Sequence, residues 1–127
     1  MGENIKKSFV IDASYLLAFL LNENNFEVNE LMKQYKDRQI HLISSTLLTF
    51  EVGNTVRTAV LRKKMSKSQA QNVLQTFLEF DIVEEKADYI QVLQLALSKN
   101  LTFYDASYLF LTRKYKIPLL TLDAKLK

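Results

Sequence analysis

The sequence predicts an α/β fold in which a parallel sheet is covered by helices on both faces. Short apolar runs alternate with longer segments of helical spacing along the 127 residues. Strands separated by helices imply right-handed crossovers, which make neighbouring strands parallel. An apolar content of 48%, with eight Phe and six Tyr, is enough to bury one good core in a chain of this length, so a single domain over 1–127 is expected.

The elements follow in order. Ser8 to Asp12 is an apolar run closed by an acid, which suits a buried strand. Ser14 is positioned to N-cap a helix over Tyr15 to Leu21. Phe26 to Arg38 carries Phe26, Val28, Leu31, Met32 and Tyr35 close to helical spacing, and Ile40 to Ser44 is a second strand. Ser45 or Thr46 opens a long helix to about Lys63, and Ser66 caps another to about Leu78. Phe80 to Val83 reads as a third strand. Ala87 to Lys99 is helical, with Ile90, Leu93 and Leu97 on one face, and Thr102 to Lys116 is helical again. Ile117 to Leu122, around the only proline, Pro118, is the final strand.

Composition narrows the chemistry. The absence of cysteine excludes thiolate metal sites, disulfides and cysteine nucleophiles, and fits a reducing cytoplasm. Lys6-Lys7 followed by Ser8 to Leu21 loosely mimics a signal peptide, but Asp12 interrupts it and no small-residue cleavage site follows. The uncharged stretch Ala13 to Asn22 falls short of the roughly 20 residues that span a bilayer, so no membrane association is expected. A net charge of +3 is compatible with a polyanionic partner, although solvation alone explains a charge this small.

The carboxylates are more specific. The string Asp-Ala-Ser-Tyr-Leu occurs twice, at Asp12 to Leu16 and at Asp105 to Leu109, without the similarity extending outward as a duplication would. Of the 14 acidic residues, Asp12, Glu51, Asp105 and Asp123 lie within apolar sequence, where an ionised carboxylate needs compensation. Asp12 closes the first strand and Asp123 follows the last, at the strand ends where open α/β sheets bind ligands. Asp105 and Glu51 fall in the early turns of two helices that start at the same rim. Three have a specific structural alternative: Thr102 to Asp105 as a capping box, Asp123 capping a C-terminal turn, Asp12 bonded to helix amides. Glu51 is the hardest to dismiss as structural, because Phe50 and Val52 on either side argue against solvent all round it. Asp81, between Phe80 and Ile82, begins a strand and reads as structural. Four carboxylates with no Cys and a single His select a hard cation, Mg²⁺ or Mn²⁺ rather than Zn²⁺. His41, between Ile40 and Leu42, reads as a strand residue. Without the cation the acids repel one another, raising at least one pKa.

These pieces together resemble the PIN-domain nucleases, most closely the small VapC-type toxins of type II toxin–antitoxin pairs. The resemblance rests on Val10 to Leu17, Glu51-Val52-Gly53-Asn54, Tyr104 to Tyr108 and Thr121-Leu122-Asp123, with successive acids 39, 54 and 18 residues apart. It implies a Rossmann-like PIN domain with four to five parallel strands and a Mg²⁺- or Mn²⁺-dependent endoribonuclease site leaving 3′-hydroxyl and 5′-phosphate ends. By position, Asp12, Glu51, Asp105 and Asp123 would be the catalytic and metal-binding acids. Ser14 and Thr121 would orient ligands or water, and Asn54 would support Glu51 from the same helix face. Gly53, unfavourable inside a helix, would allow close backbone approach near the site.

The resemblance also implies RNA as substrate, a homodimer, and a cognate antitoxin whose C-terminal segment occupies the cleft. Thr46 to Lys63 with Ser66 to Leu78 is the expected antitoxin surface, because Val60, Leu61, Met65, Val73, Leu74 and Phe77 exceed what one core face needs. Arg57, Arg62, Lys63 and Lys64, with Lys67, form one basic stretch able to hold phosphates, and Arg113, Lys114, Lys116, Lys125 and Lys127 another. The aromatics read mostly as core. The chain stops four residues after Asp123, where such proteins usually continue, which puts an edge strand in question. Alternative readings are an RNA-processing PIN nuclease without antitoxin, or a non-catalytic RNA- or protein-binding PIN module. A carboxylate phosphatase would need a second Asp where Ser14 stands.

Overall fold

Strand β1 (Lys7–Ile11) is the centre of the molecule, because its consecutive residues Val10 and Ile11 are both fully buried, one against each face of the sheet. The computed structural model describes residues 6–127. Within it β1 pairs in parallel with β2 (Ile40–Ser45), from Lys7↔Ile40 to Val10↔Ile43, and with β4 (Leu119–Leu120) through Val10↔Leu119 and Ile11↔Leu120. β2 pairs in parallel with β3 (Val83–Glu85), giving a four-stranded sheet in the order β3-β2-β1-β4. The parallel α/β architecture is as the sequence predicts, at the lower of the two strand numbers.

One face is covered by α1 (Ala13–Leu20), α2 (Phe26–Lys36), the start of α3 (Leu48–Leu61) and α4 (Lys67–Leu78), through Leu16, Val28, Met32, Leu48, Val52 and Phe77. The other is covered by α5 (Tyr89–Lys99) and α6 (Phe103–Tyr115), through Val92, Ala96, Ala106, Tyr108 and Leu111. Each large aliphatic side chain fully buried here contributes about 1.5–3 kcal/mol. Among the described residues no helix is long and apolar enough to cross a membrane.

Several local expectations change. α1 begins two residues early, because Asp12 and not Ser14 is its N-cap: the carboxylate accepts from the Tyr15 amide. Neither Ser45 nor Thr46 caps α3. Ser45 accepts instead from the Leu47 amide and the Ser107 hydroxyl, while Glu84 of β3 receives Thr49 in the first turn of α3. Ser66 forms a full capping box with Gln69 on α4. β3 lies three residues later than predicted: Phe80 and Ile82 turn into the core, Asp81 accepts from the Tyr35 hydroxyl, and pairing starts only at Val83. β4 shrinks to two residues beside Pro118, which has no N–H to give, although the Pro118 and Leu120 carbonyls accept from Val10 and Asp12.

α5 presents two apolar stripes. Val92, Leu95 and Ala96 face the sheet, and the predicted face of Ile90, Leu93 and Leu97 points outward. Six of the 14 aromatic rings are exposed, so the expectation that they are mostly core overstates their burial. Gly53 has no close neighbour: a Cβ added there would meet nothing within 4 Å. Close approach within the folded chain therefore does not explain it.

Candidate active site

The chain leaves β1 towards β2 and β3 on one side and returns to place β4 on the other. That reversal opens a crevice at the carboxyl ends of β1 and β4, where ligands of open parallel sheets bind. Asp12 and Asp123 follow those two neighbouring strands.

Asp12 is 4% exposed. Its Oδ1 accepts from the Ser14 hydroxyl at 2.7 Å and the Tyr15 amide at 3.1 Å, and its Oδ2 from the Thr121 hydroxyl. All three partners are uncharged. Burial raises its pKa, the Thr121, Ser14 and Tyr15 bonds oppose that rise, and the neighbouring charge of Asp123 adds to it. Ser14 also accepts from the Leu122 amide at 3.0 Å, and Thr121 from the Asp123 amide at 3.0 Å. Two hydroxyls thus tie the end of β4 to the start of α1.

Glu51 lies one turn into α3, half-buried, and accepts from the Tyr108 hydroxyl of α6. Burial raises its pKa, the Tyr108 bond lowers it, and the charges of Asp105 and Asp12 raise it further. Deep burial, and after it the bond to Glu51, push the Tyr108 phenol far up, so it stays a donor. These couplings bring the four sequence-predicted acids into one electrostatic neighbourhood. Among the described residues, however, no three acidic or histidine side chains converge as a metal-binding cluster. The best-buried acids are turned towards hydroxyl donors, as mutually repelling carboxylates would be.

The structural alternatives coexist with this arrangement. Thr102 caps α6 by accepting from the Asp105 amide, and Asp123 accepts from the Lys125 amide in the C-terminal turn. Asn54 is exposed and lines a cavity of about 550 Å³ together with Ser14 and Glu51, but the donor to Glu51 is Tyr108. Tyr108 is the site residue the sequence reading missed. Its signal was its place in the second Asp-Ala-Ser-Tyr-Leu string, three residues after Asp105 and so on the same helix face. The two copies sit in different registers: Asp12 is an N-cap, Asp105 lies inside its helix, and Ser107 bonds Tyr104 and Ser45 rather than its own aspartate.

Among the basic residues, Arg62 and Lys64 line a depression of about 230 Å³ that shares Asn54 with the cavity at Glu51. Arg57 and Lys63 do not line it. On the expected antitoxin surface, Phe77 is core and Leu74 packs on it, leaving Leu61 and Leu78 exposed.

The PIN domain family model matches residues 9–127. Ribonuclease VapC3 of Pyrobaculum aerophilum is 31% identical over 121 residues, 92% of this chain and 90% of its own. Ribonuclease VapC1 of Mycobacterium tuberculosis is 37% identical over 82 residues, 63% of this chain and 61% of its own. The crystal structure of PAE2754 from Pyrobaculum aerophilum superposes with a TM-score of 0.76 at 26% identity, covering 94% of this chain and 77% of that one. VapC20 of Mycobacterium tuberculosis, described as a sarcin-ricin loop cleaving toxin, superposes at 0.61 over 93% and 92% with 14% identity, a likeness of fold.

Proposed function

Because the chain belongs to the PIN-domain family, with relatives named as VapC ribonucleases, we propose that it is a divalent-metal-dependent endoribonuclease, the toxin of a toxin–antitoxin pair. The observation that carries the proposal is the delivery of Asp12 and Asp123 to one crevice at the β1/β4 switch, with Glu51 and Asp105 coupled to it.

The donor set fits Mg²⁺ or Mn²⁺. It is all oxygen, the chain has no cysteine, and the one histidine, His41, is exposed at the amino end of β2. Asp12, Glu51, Asp105 and Asp123 would hold the cation, whose charge would offset a burial that three neutral donors leave uncompensated. When bound, such an ion supplies an acidified water and neutralises charge on the phosphodiester. The protein's own part is positioning. Ser14 and Thr121 fix the Asp12 carboxylate, Tyr108 fixes Glu51, and Arg62 and Lys64 offer charge to the flanking phosphates.

The outward stripe of Ile90, Leu93 and Leu97 on α5 supports a homodimer face, and exposed Leu61 supports an antitoxin contact on α3. This reading places the protein in the cytoplasm with its RNA. The test is cleavage of total RNA by protein refolded free of any co-purified partner, in Mn²⁺, Mg²⁺ and EDTA, beside Asp12→Asn. Metal-dependent cutting that disappears in the variant is expected. Equal cutting by the variant would remove Asp12 from the site, and no cutting in any metal would favour a binding module.

A further inference from the structure

Two carboxylates of the crevice are each preceded by an exposed aromatic ring. Phe50 comes before Glu51 on α3 and Tyr104 before Asp105 on α6, 77% and 58% exposed. Among the described residues neither ring pairs with another. Both line the cavity of about 550 Å³ that holds Ser14, Glu51, Asn54 and Thr55. From there the surface continues along α3: the smaller depression shares Asn54 and Thr55, passes Thr58 and reaches Arg62. Positions 51, 54, 55, 58 and 62 recur at three- and four-residue intervals and so form one helix face.

That face has a polarity. Carboxylates lie at one end, cations at the other, and flat apolar rings flank the carboxylate end. A phosphodiester backbone suits the track from the carboxylates to Arg62 and Lys64, and a π-face suits the rings. Bases inside a duplex present no free face, whereas unpaired bases in loops stack on protein aromatics. A purely apolar peptide would cover Asn54 and Thr55 without offering them hydrogen bonds, whereas the edge of a base can bond to them.

We propose that Phe50 and Tyr104 form a stacking platform that holds one unpaired nucleobase next to the scissile phosphate. This rests on the ribonuclease reading above, and the experiment separates the two. Cleavage of a single-stranded oligonucleotide is followed in Mn²⁺, and its binding by anisotropy in Ca²⁺, for wild type, Phe50→Ala, Tyr104→Ala and the ring-restoring Phe50→Tyr. A second series of oligonucleotides carries an abasic residue at each position in turn.

Each Ala variant should raise KM and Kd by about 5- to 150-fold, with kcat changed far less and Phe50→Tyr close to wild type. One abasic position should cause the same loss in wild type and add little in the variants. Unchanged KM and Kd in both Ala variants would overturn the platform, as would abasic losses that add in full to the variants at every position. Variants that bind RNA normally but no longer retain a co-purifying protein would also overturn it, assigning the rings to a protein partner. Wild type that binds but never cuts removes the nuclease reading, while the binding arm still decides the platform. Wild type that neither binds nor cuts removes both.

Discussion

Replacing Thr121 by valine tests how the crevice is held together. Thr121 is 6% exposed, and valine fills the same space, so the change removes a hydroxyl without opening a cavity. Two hydrogen bonds go with it: the donation to Asp12 Oδ2, and the acceptance from the Asp123 amide at 3.0 Å. A bond to a charged group contributes about 1.5–3 kcal/mol, and the half-buried Asp123 amide, within reach of water, about 0.5–1. Thr121→Val should therefore lose about 2–4 kcal/mol of stability in metal-free protein near neutral pH. Thr121→Ser, which keeps the hydroxyl and gives up one methyl, should lose about 1 kcal/mol.

The pH dependence is the sharper signature. The Thr121 bond is the largest influence opposing the burial that raises the Asp12 pKa above its ordinary 3.8. Without it the folded-state pKa rises further. An acid whose folded pKa exceeds its unfolded one costs stability as pH climbs through that window, because the native state binds more protons there. The valine penalty should therefore be largest at neutral pH and shrink as Asp12 protonates. Urea unfolding of the three proteins at about pH 7.5 and about pH 4.5 measures this. A valine variant within about 0.5 kcal/mol of wild type at neutral pH, or a penalty independent of pH, would refute the role given to this hydroxyl.

Tyr108→Phe should lose about 1–3 kcal/mol by leaving Glu51 half-buried without its donor, while Glu51→Gln, whose carbonyl still accepts from Tyr108, should unfold close to wild type; equal losses in chemical denaturation would argue that Tyr108 acts only by packing. Gly53→Ala should stabilise by about 0.5–1 kcal/mol, because the position is helical and its Cβ meets open space, and a lower melting temperature would count against that. Metal-free wild type should carry a destabilising contribution from Asp12 and Glu51 that grows as pH rises above their ordinary values of 3.8 and 4.5, and saturating Mn²⁺ should reduce it. Melting curves across pH with and without Mn²⁺ check this, and the same slope in both would detach the metal from these acids.

The acids and the sheet were legible for the same reason. A carboxylate inside an apolar run is costly, so Asp12, Glu51, Asp105 and Asp123 stood out from the ten that sit in polar or plainly structural settings. Alternating strands and helices allow few topologies. What stayed hidden depends on direction or distance. Phe50 looked interior beside buried Val52, but each helical residue turns by about 100°, and its ring points outward. α5 has two apolar stripes, and periodicity does not say which one meets the sheet. Asp12 and Ser14 are both good N-cap residues, and only the docking of β4 shows why Ser14 is needed elsewhere. The donor to Glu51 lies 57 residues away, beyond any local pattern.

The pairing of β1 with β4 has a consequence for the birth of the protein. Asp12 and the hydroxyl that steadies it are 109 residues apart, and β4 follows β1, β2 and β3 along the chain. A nascent chain can assemble β1 to β3 while one wall of the crevice is still missing. Pairings over such separations form late, once the loop between them has closed. The wall of the crevice that holds Thr121 therefore closes last in folding, and the Asp12 carboxylate takes its final setting only when β4 docks beside β1.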